Sequence, residues 1–215
     1  MEKTTANLYS NKVSEYEIFV SAFLYPQGLK AFFSQCGLLK SNTKVLDAGC
    51  GTGIVSLALT EAFSSNNCSY NSLNAFDLSP AMLARFQAKL DKRNTDNITL
   101  HQANVLTLQD LPTEWKNYDL IVSASMLEYV PREKLVAALS GLRELLSKQG
   151  TFLLFITKKN ILMDFLIGYL WSSNLYSRQE LTDIFSLAGF TKVTFKEFPL
   201  SFKWLDLWGY IIEAS

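Results

Sequence analysis

Three glycines and two aspartates are the first residues in this chain whose types and spacing suggest chemistry. In "KVLDAGCGTG", Lys44 to Gly53, Asp47 stands two places ahead of Gly49, and Gly51 and Gly53 follow. A short apolar run that ends in alternating glycines reads as a strand feeding a tight turn and then a helix. Glycine allows positive φ and lets backbone approach a ligand closely. A helix N-terminus beyond the turn favours negative groups. Asp47 adds the opposite preference, because a carboxylate repels pyrophosphate and attracts a cation. The dinucleotide pattern G-x-G-x-x-G also fails here, since the third glycine comes one place early and position 54 is Ile. The combination suits a ligand that carries an ammonium group and a positively charged sulfur.

The elements that must position these residues can be read from the apolar periodicity. "KVLDAG", "SLNAFDL", "NITLHQA", "YDLIVSASM" and "TFLLFIT" read as strands. "GIVSLALTEAF", "SPAMLARFQAKLDKR", "REKLVAALSGLRELLSKQG" and "SRQELTDIFSLAGF" read as the helices between and after them. Ser79 is placed to cap the second of these helices with Pro80 at its first position, and Gly150 to end the third. Two last strands, "TKVTFKEF" and "LWGYIIEA", have no helix between them and should pair antiparallel. Alternating strands and helices imply an α/β fold: a three-layer αβα sandwich around a seven-stranded, mostly parallel sheet with an antiparallel last strand. The 215 residues are read as one domain. Residues 1–40 are expected to form a helical cap across the top of the sheet, 41–157 the ligand-binding core, 158–176 an insertion over the substrate, and 177–215 the C-terminal helix and two strands.

The motifs in order resemble the class I S-adenosylmethionine-dependent methyltransferases, in particular the small-molecule members such as the quinone methyltransferases. "VLDAGCGTG" is similar to the family's first motif and "AFDLSPAML" to its second. The resemblance implies a Rossmann-like fold that binds S-adenosylmethionine and releases S-adenosylhomocysteine. It implies that Asp77 holds the two ribose hydroxyls, which a carboxylate can accept as a pair. "HQANVLTL" sets Asn104 and Val105 where the family grips adenine, with Asn104 in place of the usual Asp. The cofactor-binding residues expected on this basis are Asp47, Gly49, Cys50, Gly51, Gly53, Asp77, Leu78, Met82, Asn104, Val105 and Ser123. The N-terminal tyrosines Tyr9 and Tyr16 have the spacing of a segment that folds over the cofactor in such enzymes.

In-line attack on an activated methyl group asks the protein mainly for alignment and exclusion of water. Where a base is needed, Glu128, in "SASMLEYVP" after the fourth strand, is the candidate; the lone histidine, His101, reads as a packed or surface residue. Tyr16, Tyr129, Phe165 and Tyr169 are expected to line the acceptor site. At helical spacing Ile161, Leu162, Phe165, Leu166, Tyr169 and Leu170 share one face. That suggests a small apolar or amphipathic acceptor, or peripheral contact with a membrane that holds one. Other readings are a protein or peptide methyltransferase, a non-catalytic partner with the same fold, and an aminopropyl transferase. The expected partners are a small molecule and at most a second copy of the chain, as monomer or homodimer. Nucleic acid is disfavoured, because 20 basic residues balance 20 acidic ones and no Asp/Asn-Pro-Pro-Tyr follows the fourth strand. No His, Asp and Glu cluster has metal-ligand spacing. No run of about 20 uncharged apolar residues could span a bilayer. A polar N-terminus, with Cys36, Cys50 and Cys68 outside any CxxC pattern, fits a reduced cytoplasmic setting.

Overall fold

The computed structural model describes residues 24–95, 97–159 and 173–215. Seven strands form one sheet: β1 (Thr43–Ala48), β2 (Tyr70–Asp77), β3 (Ile98–Gln102), β4 (Tyr118–Ala124), β5 (Leu146–Thr157), β6 (Val193–Lys196) and β7 (Gly209–Ala214). Their spatial order is β3-β2-β1-β4-β5-β7-β6. All neighbours run parallel except β7, which is antiparallel to both β5 and β6. The three-layer sandwich and the antiparallel last strand are as the sequence implies.

Both faces of the central strands are buried, which is why β1 and β4 read as near-continuous apolar runs. Alternate residues serve different layers. Val45, Leu73, Leu120, Val122 and Phe155 face α1 (Tyr25–Gln35), α2 (Ile54–Ser65) and α3 (Pro80–Arg93). Leu46, Phe76, Ile121, Phe152 and Leu154 face α4 (Leu135–Glu144) and α5 (Arg178–Leu187). Asp47 has the parity of Val45 and so points toward α2. The caps follow the sequence closely: Ser79 accepts from the Met82 N–H at the start of α3. Ser177 and Glu180 form a reciprocal capping box on α5.

Of the helical cap expected over residues 1–40, the structure describes the part from residue 24. It forms α1, which packs beside α2 in the same layer and sets Phe32 and Phe33 edge-on against Phe155 at 5.5 and 5.7 Å. Tyr9, Tyr16, Phe165 and Tyr169 lie outside the described residues. So does the interior of the 158–176 insertion, although its two ends meet, with Lys158 bridged to Tyr176.

The helix expected to end at Gly150 stops instead at Glu144. Its good helix formers lose to the sheet: the Tyr118 N–H donates to the Leu145 carbonyl at 2.9 Å, and Leu146 already pairs with Tyr118 across a register shift. Gly150 is therefore not a helix C-cap. It sits in β5, where an added Cβ would come within 2.5 Å of the Tyr118 carbonyl oxygen. Gly150→Ala forces backbone apart at this bulge and is expected to cost about 1–3 kcal/mol. Thermal unfolding should fall by several degrees; an unchanged midpoint would mean that the bulge is free to open.

Candidate functional site

In an open α/β sheet the crevice for a ligand lies beyond the carboxyl ends of the strands, where the strand order reverses. Here the order turns at β1, between β2 and β4. The cleft found there is walled by the segments that leave four adjacent strands: Gly49–Thr52 after β1, Phe76–Ser79 at the end of β2, Ala103–Leu106 after β3, and Ala124–Met126 with Tyr129–Pro131 after β4. Tyr25 from α1 completes the lining together with Ile54, Val55 and Met82.

The floor is the glycine turn. Gly49, Gly51 and Gly53 have φ of +79°, +52° and +85°. A Cβ on Gly49 would strike Met126 at 2.4 Å, and one on Gly53 would strike the Phe86 ring at 2.2 Å. A Cβ on Gly51 would meet nothing within 4 Å. The first and third glycines are thus demanded by packing as well as by φ, and the second leaves open space. The Gly49 and Cys50 N–H groups both donate to the Phe76 carbonyl at 2.9 Å, which fastens the turn to the end of β2. From α3, the Lys89 ammonium donates to the Thr52 carbonyl and hydroxyl at 3.0 and 3.1 Å.

Asp77 ties these pieces together. One carboxyl oxygen accepts the Gly51 N–H at 2.9 Å and the other the Ser79 N–H at 2.8 Å. Burial raises its pKa against these bonds. A carboxylate offers about four lone-pair sites, so each oxygen can accept one further donor from the cleft. Asn104 also lines the cleft, but its Oδ1 accepts the Leu106 N–H at 3.0 Å, so it shapes its own loop as an Asx turn. Gly49, Cys50, Gly51, Leu78, Met82, Val105 and Tyr129 also line the cleft. Gly53 lies just behind it as the N-cap of α2.

Besides Gly53, three expected site residues do not line it. Asp47 is fully buried beneath the turn and accepts the Ser56 hydroxyl at 2.6 Å. Gly53 gives α2 no side-chain cap, and Asp47 supplies a carboxylate to the first turn from the neighbouring strand. Burial pushes its pKa up to about 7, against hydrogen bonds from the Ser56 side chain and backbone. Its Oδ1 is buried with no partner among the described residues. Ser123 is fully buried, because the pleat that turns Val122 toward α2 turns its neighbour the other way. The chain reaches the cleft one and two residues later, at Ala124 and Ser125. Ser125 takes a φ of +53°, an uncommon conformation for a residue with a side chain, and marks where β4 breaks into the cleft wall.

Glu128 is the third. Its carboxylate turns away from the cleft to the end of β5, where it accepts the Thr157 N–H at 2.9 Å and the Thr157 hydroxyl at 3.1 Å. Burial raises its pKa to about 7. Both carboxyl oxygens are thus engaged by Thr157, and Glu128 is not among the residues that line the cleft. His101 is also remote, set edge-on to Trp115 at 5.7 Å. The sequence reading missed Tyr25, Thr52, Ser125 and Met126. Thr52, between Gly51 and Gly53, and Ser125 and Met126, inside "SASMLEYVP", lay within stretches already singled out, whereas Tyr25 carried no such signal. Among the described residues no three His, Cys, Asp or Glu side chains cluster as metal ligands, and no helix is long and apolar enough to cross a membrane.

The raised pKa of Glu128 has a consequence for stability. The folded state keeps a proton that the unfolded chain releases near pH 4.5, so this contribution is full below that value and is lost as pH rises through about 7. Glu128→Gln removes the titration and can keep both Thr157 contacts. Its stability relative to the parent should therefore rise between pH 4.5 and 8, by on the order of 2–3 kcal/mol. Denaturant unfolding of both proteins across that range checks this, and a constant difference would contradict it.

Comparison with known proteins follows the same outline. Residues 45–150, about half of the chain, match the family model described as "Methyltransferase domain". A highly reducing polyketide synthase of Emericella nidulans is 30% identical over 155 residues, 70% of this chain and 6% of that protein. A malonyl-[acyl-carrier protein] O-methyltransferase of Paenibacillus sp. (strain JDR-2) is 32% identical over 117 residues, 53% of this chain and 38% of that one. The chain thus spans less than half the length of either curated relative. Among solved structures, magnesium protoporphyrin IX methyltransferase from Synechocystis PCC 6803 with bound SAH superposes with a TM-score of 0.65. It is 21% identical, over 91% of this chain and 83% of that one. With the family model lying over the glycine turn and the strands that wall the cleft, the chain belongs to the class I S-adenosylmethionine-dependent methyltransferase family.

Proposed function

We propose that this protein transfers a methyl group from S-adenosylmethionine to a small apolar or amphipathic acceptor. The observation that carries the reading is the coupling of the glycine turn to Asp77: the Gly51 N–H and the Asp77 carboxylate meet at 2.9 Å on the floor of a cleft at the strand-order reversal. The residues present fit the cofactor. Each Asp77 oxygen can accept one hydroxyl of a ribose diol. The space over Gly51 admits a ligand chain against backbone. Ile54 and Val55, in the first turn of α2, border the cleft and bring the positive end of that helix to a ligand carboxylate. Met82, Ala103 and Val105 offer an apolar slot for a purine ring. Beneath them the unpartnered oxygen of Asp47 adds negative potential that favours an ammonium and a sulfonium.

Bound there, S-adenosylmethionine supplies a methyl group on a positively charged sulfur, open to in-line attack. The protein's part is to hold, orient and dry the reactants. Met126, Tyr129, Val130 and Pro131 form an apolar wall after β4, and Tyr25 faces the same cleft from α1. Such a wall excludes water and favours an acceptor with apolar surface. Neither Glu128 nor His101 is placed in the described lining as a general base. The reading is therefore an acceptor aligned by packing, carrying a nucleophile reactive without proton transfer to either residue.

Calorimetric titration with S-adenosylhomocysteine tests the cofactor assignment. Asp77→Ala should weaken binding by roughly 1–3 kcal/mol, through loss of the ribose contact and loosening of the turn. Absence of binding by the folded parent protein, or unchanged affinity in the variant, would refute the assignment. A screen of phenols, quinones and acyl compounds should then find turnover with apolar acceptors. Turnover confined to highly charged soluble acceptors would refute the acceptor class.

A further inference from the structure

Glu128 raises a question that the methyl-transfer reading leaves open. It is 2% exposed and titratable, it follows the strand that ends at the cleft, and among the described residues its carboxylate hydrogen-bonds to Thr157 and to no cleft-lining residue. A buried carboxylate is costly unless it is well bonded. This one spends both oxygens on a single residue, Thr157, 29 positions away at the last residue of β5.

The backbone around it is equally committed. The Glu128 carbonyl accepts the Asn174 N–H at 2.8 Å, and the Asn174 side chain donates to the Val130 carbonyl at 2.9 Å. Beyond Thr157, Lys158 bridges to Tyr176, and the Lys159 N–H donates to the Tyr176 carbonyl at 3.1 Å. Arg132 extends the junction, bonding the Leu175 carbonyl and pairing with Glu180 at the start of α5. Three segments therefore converge on Glu128: the turn after β4, the end of β5, and the chain at 173–176 that leads into α5. The first of these carries Met126, Tyr129, Val130 and Pro131 into the cleft. Met126 in turn lies where a Cβ on Gly49 would be, packed on the glycine turn itself.

We infer that Glu128 is a positioning residue, whose clamp on Thr157 holds the post-β4 wall of the cleft in register with the end of β5 and the 173–176 segment. It rests on the proposed cofactor site only for its effect on ligand binding; the clamp is a statement about the protein alone. A general base must keep its proton-accepting oxygen, so Glu128→Gln would abolish it. A clamp survives that change, because the glutamine oxygen can accept the Thr157 N–H while its amide donates to the Thr157 hydroxyl. Glu128→Ala removes both contacts of the clamp, Thr157→Val removes only the hydroxyl contact because its backbone N–H remains, and Thr157→Ser keeps both.

The test uses the whole chain and two readouts. The first is amide hydrogen exchange without ligand. Tyr129, Val130 and Asn174 should exchange at least tenfold faster in Glu128→Ala, less so in Thr157→Val, and near the parent rate in Glu128→Gln and Thr157→Ser. The second is affinity for S-adenosylhomocysteine. It should fall about tenfold in Glu128→Ala, by less in Thr157→Val, and stay within about twofold in Glu128→Gln and Thr157→Ser. The double variant Glu128→Ala/Thr157→Val should lose no more than Glu128→Ala alone, because the Thr157 hydroxyl then has no partner left to lose. Leu142→Ala, in the buried face of α4, controls for general destabilisation and should leave the affinity unchanged.

Exchange unaffected in Glu128→Ala, or raised equally in Glu128→Gln, would overturn the clamp. Raised exchange with unchanged ligand affinity would overturn its role in positioning the cleft. Failure of the parent protein to bind S-adenosylhomocysteine would instead count against the cofactor site, and the exchange pattern would still decide the clamp.

Discussion

The site depends first on one short contact, the hydrogen bond from the Gly51 N–H to the Asp77 carboxylate at 2.9 Å. It joins two strand ends that are neighbours in space and 26 residues apart in sequence. For that amide to point sideways at β2, the chain must leave β1 through three positive-φ positions. For the turn to lie low enough, Gly49 and Gly53 must admit Met126 and Phe86 into the space of their missing side chains. The Asp77 carboxylate then also receives the Ser79 N–H, which orients the start of α3. α3 returns the contact through Lys89, whose ammonium holds Thr52. The loop is closed: strand, turn, carboxylate, helix, and back to the turn. A Gly-to-Ala change at either packed glycine, or loss of the carboxylate, would open the same ring at a different point.

Three carboxylates with raised pKa values surround this turn and the wall beside it, but they do different work. Asp77 lines the cleft and is partly paid for by two backbone amides. Asp47 lies underneath, with one oxygen on Ser56 and the other unpartnered. The negative charges of Asp47 and Asp77 oppose each other, which adds to the effect of burial on Asp47. A cation in the cleft would relieve both and would favour the ionised form of Asp47. Cation binding and deprotonation at Asp47 are therefore linked, and ligand affinity should gain from pH as it approaches 7. Glu128 belongs to the wall, where Thr157 absorbs its hydrogen-bonding capacity, and it takes no part in that coupling through a contact of its own.

Much of this could be read from residue order. The strands announced themselves because central strands buried on both faces are apolar throughout, as in "KVLDA" and "DLIVSA". The glycine turn could be read because its backbone conformation admits few residue types, and Asp77 through the resemblance of "AFDLSPAML" to a family motif. What failed was information carried by tertiary contact. "LLSKQ" is a good helical sequence, and only the pairing of Leu146 with Tyr118 turns it into strand. Ser123 was off by one pleat, which reverses a side chain completely. Glu128 was the hardest case. A glutamate after the fourth strand is a plausible base in sequence, and only Thr157, distant in the chain, shows where its carboxylate goes.

That misplacement bears on how the cleft can work. A methyl donor that is already activated does not require an acid, and an acceptor of sufficient nucleophilicity does not require a base. The described lining is consistent with such a division, since most of it is glycine, alanine, valine, leucine, isoleucine and methionine. Its polar groups concentrate on the side of the glycine turn, Asp77 and the loop of Asn104, where the cofactor is proposed to bind. The wall after β4 is largely apolar and is held from behind. An apolar wall can align an acceptor only if it is rigid, because dispersion contacts fall off within an ångström of misfit. Here the polar groups that brace the wall are kept out of the cleft: a buried glutamate, a threonine at the end of a strand, and an asparagine bonded to two carbonyls of the turn after β4. On the proposed function, alignment of the acceptor and stability of the fold would draw on the same few hydrogen bonds.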